Sequence, residues 1–321
     1  MLRRLLCGVV AALALAPVAT ADGGGPSPGV FQGGDGVTLP NLGVRWVTLT
    51  DSTNTQLAMI RKRDGRIVNS TTMPGLWGIP AVALDGSTGG LSRDGRTLVL
   101  GDATNSNGAL RNTSSFLIVD ARRLQLKQAE IFLNGDFVFD ALSPNGRMLY
   151  LIQHVSAADL TRYVVRAYDL STGRLLRHKI ADRTQRGWVM TGYPVTRATS
   201  PDGRWAYTLY RNDGGYPFVH ALDTVRGVAH CIGIRWDGAQ DNLFYLRLSL
   251  RDSGRRLAVH WQDGTPVASI DTHTFRLSRA TVGDSASFPW WAIVIPAVLL
   301  PGALLFRLLT RRQRNVEVQP T

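Results

Sequence analysis

The sequence predicts an all-β architecture built from a four-stranded antiparallel sheet repeated along the chain. Two interleaved series of hairpins predict it. The first series is a turn: "LSRDGRTLVL" (91–100), "LSPNGRMLYLI" (142–152), "ATSPDGRWAYTLY" (198–210) and "LRDSGRRLAV" (250–259). In the third copy Pro201 presets φ, Asp202 tolerates the next position, and Gly203 supplies the left-handed φ that closes the hairpin. The arginine after the glycine falls at 96, 147, 204 and 255, giving spacings of 51, 57 and 51. The second series joins strand, aspartate, turn and strand: "FLIVDARRLQL" (116–126), "VVRAYDLSTGRLL" (164–176), "FVHALDTVRGVA" (218–229) and "VASIDTHTFRL" (267–277). Its aspartates, Asp120, Asp169, Asp223 and Asp271, are 49, 54 and 48 apart.

Each element follows in chain order. Residues 1–21 carry Arg3 and Arg4, an apolar stretch and Ala19-Thr20-Ala21, the pattern of a secretory signal peptide. Cys7 precedes the apolar stretch, which argues against a lipoprotein. Residues 22–42, rich in glycine and proline at the start, read as a flexible leader. The repeats occupy 43–280. "VRWVTLT" (44–50) opens them, with "GVTL" (36–39) as a candidate partner strand, and "LAMIRKRDGRIV" (57–68) is a degenerate copy with Arg61 in place of the aspartate. Two hairpins per unit make one four-stranded sheet, and several such sheets bury their faces by closing into a β-propeller. Five blades fit the hairpin count, with six as the alternative.

Residues 281–287 form a short linker. The next nineteen, "FPWWAIVIPAVLLPGALLF" (288–306), hold no charge. At 1.5 Å rise they reach roughly 28 Å, the thickness of a bilayer core, so 288–309 read as one transmembrane helix. Trp290 and Trp291 suit the outer interface, and Arg307, Arg311, Arg312 and Arg314 suit a cytoplasmic flank leading into a tail over 310–321. The expected location is the plasma membrane, single-pass, with the N-terminal domain outside and the C-terminus in the cytoplasm.

The turns and the "YDLSTGRLL" and "ALDTVRG" hairpins resemble those of exported bacterial YVTN and WD40-like propellers, the group that includes the TolB-like ones. The resemblance covers roughly 43–280. The strand after the turn departs from the YVTN consensus, reading "WAYTLY" or "MLYLIQ". The resemblance implies the fold and says little about function.

Chemistry is sparse in the sequence. No GxSxG, HExxH, P-loop or calcium-loop pattern occurs. The histidines stand singly at 154, 178, 220, 230, 260 and 273, and His220 falls roughly opposite Cys231 if the intervening hairpin turns near Val225-Arg226. Two ligands are too few for structural zinc, so no metal or cofactor is expected. The four series aspartates recur at equivalent positions, which points to bonding turn amides; Ser92, Ser143 and Ser200 are likewise turn residues. Three residues before the turn serine stand Gly89, Asp140 and Arg197. One carboxylate beside one arginine is not a glycosidase acid pair, so Asp140 and Arg197 are expected to form a structural ion pair on neighbouring inner strands.

The connecting loops carry the candidates for binding. "STTMPGLWGIPAVALDGSTGG" (70–90), "ADRTQRGWVMTGYP" (181–194) and "IRWDGAQDN" (234–242) are longer than the turns at the other end of the sheets. They hold Trp77, Trp188 and Trp236, with Trp261 in the last such turn, and Arg186, Arg211 and Arg235 beside them. Tryptophan with arginine is the usual composition of a binding hot spot. The chain leaving the last blade is expected on this same face, which places it toward the membrane. The formal net charge of +12 and the export signal favour an envelope protein or an anionic wall or lipid component as partner, and argue against nucleic acid. The reading is a membrane-anchored binding or scaffolding module; the alternative is a hydrolase of a wall glycan or related polymer.

Overall fold

The computed structural model describes residues 30–31, 35–103, 109–184 and 189–279. They form a β-propeller of five antiparallel sheets. The first sheet holds Val44–Thr50, Asn54–Arg61 and Ile67–Pro74; the second Trp77–Pro80, Thr97–Asp102 and Thr113–Asp120, the last pairing with both Gln125–Leu126 and Ile131–Asn134. The third holds Asp136–Leu142, Met148–His154 and Arg162–Asp169, with Arg174–Leu175 and Met190–Thr191 on its outer edge. The fourth, Tyr193–Thr199, Trp205–Arg211, Phe218–Asp223 and Val228–Gly233, and the fifth, Leu246–Arg251, Arg256–Trp261, Pro266–Asp271 and Leu277–Arg279, have four strands in chain order. Val37 bridges to Trp46, so a residue of the "GVTL" stretch does sit inside the first sheet.

The turn series does the work its composition suggests. Ser92, Ser143 and Ser200 each accept the N–H of the strand residue five further on, Thr97, Met148 and Trp205. The aspartates of the second series accept two consecutive or nearby turn amides, as Asp223 does from Val225 and Arg226. Asp223 is buried and also holds the Arg204 guanidinium, so the repeat's aspartate and arginine close one unit together. The turn of the second sheet meets those of the third and fourth. Arg93 donates to Pro201 O and to Asn41 Oδ1, and the Asp94 N–H donates to Pro144 O.

Apolar cores lie between consecutive sheets. Trp46, Leu57 and Leu98 join the first and second, while Ile118, Phe139 and Leu149 join the second and third. Ile152, Val165 and Tyr210 join the third and fourth; Leu209, Val219, Leu257 and Ile270 join the fourth and fifth.

Two stretches differ from the sequence expectation. The long loop expected over 70–90 is mostly strand: Ile67–Pro74 completes the first sheet and Trp77–Pro80 opens the second. Residues 81–88 then fold as a tight hairpin, with Ala81 bridging Thr88, and turn inward. Its tip hydrogen-bonds the fourth sheet through Leu84 N to Pro194 O and Asp85 N to Val195 O, and Ala81, Val82 and Ala83 are buried. This hairpin thus ties the second sheet to the innermost strand of the fourth. Ordered structure also begins ahead of residue 43, since Val30–Phe31 pairs with Ile79–Pro80 along the inner edge of the second sheet. Gly192, between the outer edge of the third sheet and the inner strand of the fourth, has φ 145°, and a Cβ there would lie 2.4 Å from Arg211 O. Only glycine fits that crossing.

Among the described residues no helix is long and apolar enough to cross a membrane. The expected signal peptide, linker, span and tail lie outside the described residues.

Candidate functional site

The fourth sheet's outer strand ends at Gly233, and the chain passes through Ile234, Arg235 and Trp236 into a short 3-10 helix, Gln240–Tyr245. The Trp236 indole N–H donates to Ala239 O at 3.1 Å, which fixes the ring over the loop. In the fifth sheet, Trp261 ends its strand and donates its N–H to Thr265 O at 2.9 Å. The two rings come to 5.8 Å between centroids, tilted by 53°, and line a groove of about 370 Å³ between the fourth and fifth sheets. Val267 and Leu277 form an apolar floor, with Asn242 at the side. Arg235 and Arg279 stand exposed on the rim, each 3.6 Å from Asp237. Two guanidinium groups share one carboxylate, so the rim carries net positive charge.

Of the seven binding candidates, Trp236, Trp261 and Arg235 line this one groove. Arg211 stands nearby, but its charge is occupied: it bonds Asp213 and Asp241 and lies 5.1 Å from the Phe244 ring centroid, tying the loop after Trp205–Arg211 to the 3-10 helix. Trp77 belongs elsewhere. It is 6% exposed in the core between the first and second sheets, with its indole N–H bonded to Pro74 O. The residues after it, Gly78, Ile79 and Pro80, are all buried strand, so the ring fills a crevice rather than a binding face. Trp188 and Arg186 lie outside the described residues. Arg279 and Asp237 escaped the sequence reading. Asp237 follows Trp236 directly, but Arg279 reaches the groove only because the last strand ends there.

A second cavity, about 740 Å³, opens on the same face between the third and fourth sheets. Its walls combine the hydroxyl-bearing Thr161, Thr191, Tyr193 and Tyr216, the amide of Asn212 and the carboxylates of Asp159 and Asp213 with the apolar Val189, Met190 and Phe218. Asp159 is engaged by the N–H and hydroxyl of Thr161, and Asp213 by Arg211. Cys231 lines the cavity and begins a polar row across the fourth sheet: Cys231, His220, Thr208 and Arg197 are successive cross-strand partners. The Cys231 Sγ lies 3.7 Å from His220 Nδ1, and its N–H donates to Asp182 Oδ2 at 2.7 Å. Burial holds the His220 imidazole down to about 4 and pushes the Cys231 thiol up to about 12. Both groups are therefore neutral near pH 7, which leaves no thiolate–imidazolium nucleophile.

At the inner end of the row Arg197 binds the Asp140 carboxylate and carbonyl, and its Nε donates to Thr208 Oγ1 at 2.9 Å. Asp140 is 1% exposed, so this ion pair sits deep in the ring, with only about 70 Å³ of free space around it. Every described carboxylate with a displaced titration is displaced downward, by turn amides, arginines or histidine. No group of three His, Cys, Asp or Glu side chains that could hold a metal occurs among the described residues.

No family model and no curated protein matches the chain. Among solved structures it is similar to the β-propeller domain of Cps50 (Swd1) from Myceliophteria thermophila, at 10% identity and TM-score 0.40, covering 71% of this chain and 63% of that one. It is also similar to a putative TolB from Agrobacterium tumefaciens, at 12% identity and TM-score 0.39, covering 73% and 76%. A hypothetical selenium-binding protein from Sulfolobus tokodaii aligns at 11% identity and TM-score 0.45, covering 74% and 63%. Likeness at this level does not bear on ligand or activity.

Proposed function

We propose that the chain is an exported, membrane-tethered binding module, a closed five-bladed propeller, that grips an anionic envelope ligand in the Trp236–Trp261 groove. One observation carries this reading: two tilted indoles converge under two arginines that have one carboxylate between them. An indole face stacks on the C–H face of a sugar ring, and a guanidinium forks onto a carboxylate or phosphate. An acidic glycan offers both. Five sheets with converging inner turns support the ring, and the last described residue, Arg279, stands at the groove, so the segment expected to reach the bilayer leaves from this face.

A hydrolase has less support. General-acid chemistry needs a carboxylate held up in its titration, whereas the shifted ones here are held down, and Asp140 is neutralised by Arg197. Titrating the full chain with a polyuronate while following tryptophan fluorescence tests the proposal. Saturable binding, about thirtyfold weaker in Trp236→Ala, is expected. Equal affinity for polyuronate and neutral dextran, or no effect of Trp236→Ala, would contradict it.

A further inference from the structure

The groove and the hydroxyl-lined cavity lie on opposite sides of one strand end. Successive residues of a strand point to opposite faces. Cys231 and Gly233 accordingly share the side that lines the cavity toward the third sheet, while Ile232 faces the core toward the fifth, and beyond the strand end Ile234 and Arg235 line the groove there. The divide between them is Gly233 itself. It is exposed, and a Cβ placed on it meets nothing within 4 Å, so the passage over the strand end is open.

Building on the proposed groove, we infer that the two pockets are subsites of one track for an extended glycan that crosses at Gly233. The chemistry divides the ligand. Arg235 and Arg279 take a carboxylated or phosphorylated sugar on the indoles. The second pocket offers hydroxyls, an amide and carboxylates and no free cation among its lining residues, so it takes an uncharged sugar through hydroxyl hydrogen bonds. Packed sheets stand about 10 Å apart, so roughly two or three linked rings cover the distance between subsites. The ligand class is a heteroglycan in which acidic and neutral sugars alternate.

Hyaluronan oligosaccharides have that alternation and serve as the probe. The full chain should bind the octasaccharide at least tenfold more tightly than the disaccharide, because the second subsite is filled at high effective concentration. Gly233→Ile places a bulky side chain with no stacking ring on the divide without strain, since Gly233 does not need a positive φ. It should bring the ratio of octasaccharide to disaccharide affinity close to one. Equal affinity for the two lengths, with Gly233→Ile neutral, overturns the track; if Trp236→Ala still weakens binding, the groove itself stands. Failure of both oligosaccharides to bind the wild-type chain overturns groove and track together.

Discussion

The two faces of the fourth sheet are made from the same strands and differ in what crosses them. Toward the fifth sheet it presents Val195, Leu209, Val219 and Ile232, an apolar surface that needs only shape to match Leu257 and Val259. Toward the third sheet an apolar surface of Ala206, Tyr210, Leu222 and Ala229 is crossed by the row Arg197, Thr208, His220 and Cys231, with Thr208 and His220 almost wholly buried. Each face ends in its own pocket: the apolar face in the cationic groove, the face crossed by the polar row in the cavity that Cys231 lines. A propeller blade can therefore vary its ligand chemistry at the loop end with little constraint from the packing below. What the polar face adds is sensitivity, since buried polar groups are costly once unpaired.

The largest effect should come from breaking that face at its inner end. Arg197→Met leaves the Asp140 carboxylate buried and alone, and chemical denaturation should show a loss of about 3–5 kcal/mol. Replacing both, Asp140→Leu with Arg197→Met, should restore most of the loss. If the single variant proved as stable as wild type, the polar row would be ornamental. Next comes pH. The unfolded imidazole has its ordinary affinity for protons, whereas folded His220 titrates near 4, so between pH 6.5 and 4 the unfolded chain binds more protons. The His220 contribution is fully present above pH 6.5 and is lost as pH falls toward 4, amounting to about 3 kcal/mol. His220→Gln should flatten that part of the stability–pH profile; an unchanged slope would place the sensitivity elsewhere. A smaller effect is expected from a turn. Asp169→Ala, half-buried and with its carboxylate bonded only within its own turn, should cost about 1 kcal/mol, less than Asp223→Ala, which also frees Arg204.

The sequence made some of this plain and concealed the rest for physical reasons. Turns closed by glycine and capped by serine or aspartate are local, so "SPDGR" and "ALDTVRG" could be read without knowing what packed on them. Cross-strand register inside a hairpin is also local, which is why His220 could be set opposite Cys231. The hairpin over 81–88 could not be read: the apolar run in "PAVALDG" does not say which sheet it meets, and only its hydrogen bonds to Pro194 and Val195, more than 100 residues away, turn it inward. Trp77 and Trp236 both sit among glycines and prolines or polar residues. What separates them is whether the following residues are buried strand, as Gly78 to Pro80 are, or exposed loop, as Asp237 and Gly238 are. Arg279 was hidden because its place in the groove depends on where the fifth sheet ends relative to the fourth.

The most direct measurement is a structure of the full chain with a bound hyaluronan octasaccharide. The predicted result is a carboxylated sugar between Trp236 and Trp261 with its carboxylate on Arg235 or Arg279, and the next sugars passing over Gly233. Sugar bound instead at the opposite end of the axis, where Arg93 joins the inner turns, or in the centre beside Asp140, would contradict it.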